Sequence, residues 1–150
     1  MKKVLSQLAL SLTAMWAVSV QAADITVENA GGKQVVPQNP QRVVVLDFGA
    51  ADTIRALGAT DKIVGFPQSG KIPEYIAEFG DKKFTNVGDL KEQSLEKINE
   101  LNPDLIIASK RQEKMLDKFK EIAPVFNFEN DYNDYYGSFQ QNVRALGQIF

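Results

Sequence analysis

The chain has 150 residues, with 17 Lys and Arg against 19 Asp and Glu, and contains neither His nor Cys. A mildly acidic balance argues against nucleic acid or an anionic membrane as a general partner, so any anion site must be local. Without His and Cys the chain supplies no Ser-His-Asp triad, no thiol nucleophile and no ordinary zinc site, which removes most enzyme chemistries.

Met1-Lys2-Lys3 precedes a mostly apolar stretch, Leu8 to Val20, and the small residue Ala22 comes before the first acidic residue, Asp24. This three-part pattern reads as a secretory signal peptide over 1–22, and its core is too short and too interrupted by Ser11 and Thr13 for a good membrane span. Export without disulfides or a lipid-accepting cysteine predicts a soluble protein of a periplasm-like compartment. Loss of Lys2 and Lys3 leaves 15 basic residues in the 23–150 segment, which is long enough for one domain with its own core.

Asp24 to Val36 reads as a hairpin, with Ile25-Thr26-Val27 and Gln34-Val35-Val36 flanking the reversal Asn29-Ala30-Gly31-Gly32-Lys33. Arg42 to Asp47 is a β-branched apolar run suited to a strand buried on both faces. A helix is expected from about Ala50 to Leu57, closed by Gly58, and Ile63-Val64-Gly65-Phe66 is the next strand, stopped by Pro67. Pro73 to Phe79 predicts a short helix and Phe84 to Val87 a short extended piece. Ser94 N-caps a helix to Leu101, and Asn102-Pro103-Asp104 feeds the strand that begins at Leu105. Beyond it lie a helix over Glu113 to Ile122, a strand over Pro124 to Phe128, a polar aromatic loop over Asp131 to Gly137, and an amphipathic helix over Ser138 to Phe150. The absence of a closing element after that helix predicts a partner domain beyond Phe150.

Strands and helices alternate throughout, so the fold class is α/β with a parallel sheet covered by helices. In such folds ligands meet the loops at the carboxyl ends of strands. Those loops are Phe48-Gly49-Ala50, Pro67-Gln68-Ser69, Gly88 to Glu92 and Ser109 to Gln112. The last presents two adjacent cations, Lys110 and Arg111, as either a solvated turn or a binding tip. Phe48, Gly49, Pro67 and Lys91 are expected to line the same cleft, although Phe48 suits a core equally well. Asp52 on an early helical turn is more simply a partner of the helix dipole than half of an acid/base pair with Asp47. Asp131-Tyr132-Asn133-Asp134 lacks the ligand and glycine positions of a calcium loop and reads as a capped loop, and no glycine-rich phosphate loop is present.

Several motifs in order carry a family resemblance. They are Pro40-Gln41-Arg42-Val43-Val44-Val45-Leu46-Asp47-Phe48-Gly49-Ala50 with Asp52-Thr53, Asn86-Val87-Gly88 leading to Ser94-Leu95-Glu96-Lys97-Ile98, Leu101-Asn102-Pro103-Asp104-Leu105-Ile106-Ile107, and Arg111-Gln112. With them the chain resembles the N-terminal lobe of the periplasmic ferric-siderophore binding proteins of ABC importers, in their catecholate-binding branch. The resemblance implies two α/β lobes joined by a rigid helix, and a monomeric binding protein without catalytic residues, cofactor or direct metal ligands. It further implies capture of a ferric catecholate siderophore between the lobes and delivery to an inner-membrane ABC permease. By the same resemblance Arg111 is the main anion contact, Gln112 lies beside it, and Glu96 is the acidic residue that docks on the importer. Lys110 stands where the family commonly has a small residue and adds a second cation. Two rival expectations are a cobalamin or haem binder of the same fold, for which Tyr132, Tyr135 and Tyr136 offer an axial phenol, and an exported α/β enzyme whose catalytic residues lie outside this sequence.

Overall fold

A computed structural model of the chain describes residues 23–150, and the leader read at 1–22 lies outside the described residues. The elements in order are β1 (Asp24–Asn29), β2 (Gly32–Pro37), β3 (Val43–Val45), α1 (Phe48–Ala56), β4 (Ile63–Phe66), β5 (Thr85–Asn86), α2 (Leu95–Glu100), β6 (Leu105–Ser109), α3 (Leu116–Lys120), β7 (Val125–Phe128) and α4 (Tyr135–Ile149). Strands β1 and β2 form the antiparallel hairpin, in register from Asp24 opposite Pro37 to Asn29 opposite Gly32. The other five make one parallel sheet in the order β5-β4-β3-β6-β7. No described helix is long and apolar enough to cross a membrane.

The central strands are buried on both faces, as their unbroken Val and Ile runs require. Side chains alternate between two cores. Val43, Val45, Leu105 and Ile107 pack with Ile54, Phe66, Phe79 and Leu146 on one face, where α1, α4 and the hairpin sit. Val44, Leu46, Ile106 and Ala108 meet Val87, Ile98 and Phe119 on the other. Each fully buried Phe or Ile contributes roughly 1.5–3 kcal/mol by leaving water.

A buried amide network fixes the hairpin to the end of β7 and to α4. Asn29 Nδ2 donates to Asn127 O at 2.7 Å and to Asn142 Oδ1 at 2.8 Å, and Gln34 Nε2 donates to Asn29 Oδ1 at 2.9 Å. Asn142 in turn donates to Glu129 O at 2.8 Å and Asn130 Oδ1 at 3.0 Å, which shapes the chain just before α4. Buried amides left unpaired would each cost about 1–3 kcal/mol, so the network specifies this packing.

Three expectations are corrected at element boundaries. Phe48 and Gly49 are the first turn of α1 rather than a loop before it, because the Asp47 carboxylate accepts from Ala50 N–H at 3.0 Å and caps the helix early. The segment after β6 coils at once into a 3₁₀ turn, Lys110–Met115, and α3 is confined to Leu116–Lys120. The final helix starts at Tyr135, since Asp134 accepts from Gly137 N–H at 3.1 Å, so Tyr135 and Tyr136 belong to its first turn.

Candidate functional site

The strand order decides where a ligand can sit. From β3 the chain builds outward through β4 to β5, then returns to β6 on the other side of β3 and continues to β7. The carboxyl ends of β3 and β6 are therefore neighbours whose onward connections diverge, and a crevice opens between them. Asp47, Phe48 and Gly49 follow β3, and Ser109, Lys110 and Arg111 end or follow β6; all six line one cleft of about 430 Å³. A second hollow of about 320 Å³ adjoins it, sharing Phe48 and Leu90, and is lined also by Pro67, Gly70, Lys71, Asp89 and Lys91.

Lys110 and Arg111 are exposed in the first 3₁₀ turn. The salt bridges among the described residues engage Arg55, Lys62 and Lys120, and none engages Lys110, Arg111, Lys71 or Lys91. The two lining carboxylates are committed to backbone N–H groups. Asp47 caps α1, and Asp89 accepts from Lys91 at 2.6 Å and from Glu92 at 2.8 Å. Those two bonds hold the Asp89 carboxyl below the usual aspartate range, the Glu92 N–H foremost. Gly88, at φ +118° and with Glu92 O where a Cβ would stand, is required for the turn that carries Lys91.

The structure brings Lys110, Arg111, Phe48 and Gly49 into the main cleft, and Pro67 and Lys91 into the adjoining hollow. Phe48 serves both readings, because its ring stacks on Phe66 at 5.4 Å and the residue also lines both spaces. Gln112 is a correction. It is only 2% exposed and its amide is consumed internally, donating to Leu90 O at 2.7 Å and Leu46 O at 3.3 Å and accepting from Ser109 N–H at 2.9 Å. It supports the cation turn from beneath and is not presented to the cleft. Glu96 is exposed in the first turn of α2, behind the Ser94 cap, and lines neither space.

Reasoning from sequence named Tyr132 and Tyr135 only as phenols for the haem rival and missed the rest of the aromatic wall. Tyr75, Tyr132, Tyr135, Phe128 and Phe139 line the main cleft with Asn130, and Tyr132 remains 80% exposed. Tyr132 and Tyr135 had a signal, an unusually aromatic loop directly after a strand. Tyr75 had none, because the short segment bearing it reaches the cleft only through tertiary packing. The role of Gln112 was also legible, since Ser109-Lys110-Arg111-Gln112 has the spacing with which a helix-start Gln bonds back to the capping residue's N–H.

A doubly wound sheet lobe with its open crevice at the β3/β6 junction is the architecture of a substrate-binding domain, and the chain belongs to the periplasmic binding protein family, whose model matches residues 43–150. It is 43% identical over 115 residues to the petrobactin-binding protein YclQ of Bacillus subtilis, covering 77% of this chain and 36% of that protein. The crystal structure of YclQ matches with a TM-score of 0.81 at 40% identity, over 85% of this chain and 45% of that one. The periplasmic catecholate-siderophore binding protein VctP from Vibrio cholerae matches with a TM-score of 0.77 at 35% identity, over 85% and 46%. The chain thus spans less than half the length of these relatives, both of them binding proteins by name.

Proposed function

We propose that the full-length protein is a periplasmic substrate-binding protein that captures a ferric catecholate siderophore in this cleft and delivers it to an inner-membrane ABC importer. The carrying observation is the cation pair Lys110 and Arg111, exposed and outside any ion pair among the described residues, beside a wall of tyrosine and phenylalanine. A ferric tris-catecholate is a bulky trianion with aromatic faces, and a guanidinium can both donate paired hydrogen bonds to its oxygens and lie against its rings. Similarity to a petrobactin-binding and a catecholate-siderophore binding protein supports the ligand class. Iron arrives as cargo, so the reading requires no resident cofactor; the protein acts as a monomer, with Glu96 as the importer contact of this lobe.

The test is a calorimetric titration of the natural full-length protein with a ferric tris-catecholate, and with haem and cobalamin in parallel. Charge-assisted hydrogen bonds contribute roughly 1.5–3 kcal/mol each, so Arg111→Ala should weaken the ferric complex by about 10- to 150-fold. Unchanged affinity at matched stability, or tighter binding of haem or cobalamin than of the catecholate, refutes the reading.

A further inference from the structure

Tyr75 enters the cleft from a short stretch that carries it outward from the core. It belongs to the 3₁₀ stretch Glu74–Gly80, whose helical geometry breaks at Ile76, with φ −128° and ψ 27°. Ile76 and Phe79 anchor the stretch in the core, the latter by stacking on Phe66 at 4.9 Å, while Tyr75 itself is 58% exposed. Beyond those core anchors, Arg55 holds the Tyr75 carbonyl directly. Its Nη1 donates to Tyr75 O at 2.8 Å and to Glu78 Oε1 at 3.0 Å, and its Nη2 bonds Asp52, one turn earlier on α1. The same helix carries Phe48 and Gly49 into the cleft at its first turn, so the guanidinium ties Tyr75 to the element that forms the neighbouring wall. Only a planar, multiply donating fork makes these bonds together, and a lysine ammonium does not reproduce them.

Tyr75 follows β4, whereas Tyr132 and Tyr135 follow β7, so aromatic side chains line the cleft of the cation pair from opposite flanks of the sheet. Cations attract any polyanion, aryl or alkyl alike; a ring face discriminates between them.

We propose that Tyr75 is a specificity-determining residue that selects chelates with aryl arms over aliphatic ones, and that Arg55, which lines neither space of the site, positions it. The inference rests on reading the cleft as a ferric-siderophore site. It goes further by naming where the ligand's ring is recognised and what holds the recognising residue.

The experiment measures, by calorimetry on the natural full-length protein, affinities for a ferric tris-catecholate and for ferric dicitrate, with thermal unfolding of every variant. Tyr75→Leu should weaken the aryl complex about tenfold and shift dicitrate by less than about twofold, while Tyr75→Phe keeps the preference. Arg55→Lys should lower the aryl preference in the same direction and add nothing further in a Tyr75→Leu background. Equal losses for both complexes in Tyr75→Leu overturn the specificity role. An Arg55→Lys variant that lowers Tm but leaves the preference intact, or whose effect is additive with Tyr75→Leu, overturns the positioning role. If the unaltered protein fails to bind the tris-catecholate, the proposed function falls and this inference with it; if it binds and only the variants behave otherwise, the inference alone falls.

Discussion

Replacing Gln112 by alanine separates a support from a ligand contact. The side chain is buried and makes two short hydrogen bonds, to Ser109 N–H at 2.9 Å and Leu90 O at 2.7 Å, and a longer one to Leu46 O at 3.3 Å. A buried group stripped of its partner costs roughly 1–3 kcal/mol. Two such groups and a weaker third give about 3 kcal/mol, or a Tm fall of about 6–12 °C in a domain of this size range. Gln112→Glu should be at least as harmful, because it keeps an acceptor for Ser109 but turns a carboxylate toward the two carbonyls. Thermal and urea unfolding read the stability, and calorimetry reads ferric-catecholate affinity in the same preparations. A Gln112→Ala protein with Tm within about 2 °C of the parent and affinity lost by tenfold or more would refute the supporting role, since only direct ligand contact produces that pattern.

Gly49→Leu should retain folding and lose ligand, because a Cβ there stands 3.7 Å from Phe128 and 3.2 Å from Asp47 Oδ1, a contact that the capping carboxylate relieves by a shift of a few tenths of an ångström; unfolding and titration distinguish blockage from misfolding. The Asp89 carboxyl titrates below its unfolded value, so its contribution to the Lys91 loop is present above the unfolded pKa and is lost as pH falls through the lower folded one. Asp89→Asn should accordingly flatten the acid limb of stability against pH below about 4, and an unchanged limb would remove Asp89 as its source. Glu96→Ala should leave ferric-siderophore affinity and Tm nearly unaltered, since a first-turn acid contributes about 0.3–1 kcal/mol to its helix, but should reduce stimulation of the ATPase of the proposed importer; full stimulation by the variant counts against docking.

The strands were legible because parallel sheets demand unbroken β-branched runs, and Val43-Val44-Val45 and Leu105-Ile106-Ile107-Ala108 have no other comfortable home. The hairpin and the Ser94 cap were legible for equally local reasons, a glycine reversal and a hydroxyl that accepts from Lys97 N–H at 3.3 Å. Helix starts were misplaced where an aspartate captured the N–H three residues on, at Asp47 and Asp134, since the same residue reads as a loop or as a cap. The site was half legible. Strand ends name their own loops, so Lys110, Arg111, Phe48 and Gly49 could be picked out. Which loops become neighbours depends on strand order, a long-range property that no local pattern encodes, and this hid the approach of Tyr75 and Tyr132 to the cations.

The packing also explains why the cations stand free. A lobe with more acidic than basic residues could have neutralised Lys110 and Arg111, yet the carboxylates that line the cleft and the adjoining hollow serve backbone caps instead: Asp47 starts α1 and Asp89 closes the Lys91 turn. Asp47 thereby fixes the wall formed by Phe48 and Gly49, and Asp89 the turn that carries Lys91, without forming a salt bridge to a cleft cation. Bringing Lys110 and Arg111 together on the rigid end of β6 costs like-charge repulsion, which surrounding water and salt weaken in the open cleft. A trianion entering the cleft would displace that water and strengthen the attraction in the lower dielectric it creates. The unliganded lobe should therefore be less stable than its liganded form by an amount that grows with ligand concentration as RT ln(1 + [L]/Kd), about 2.7 kcal/mol at a hundredfold excess over Kd. Because salt screens the repulsion and the attraction alike, raising ionic strength should shrink this ligand-induced rise in stability while leaving the aromatic preference at Tyr75 in place.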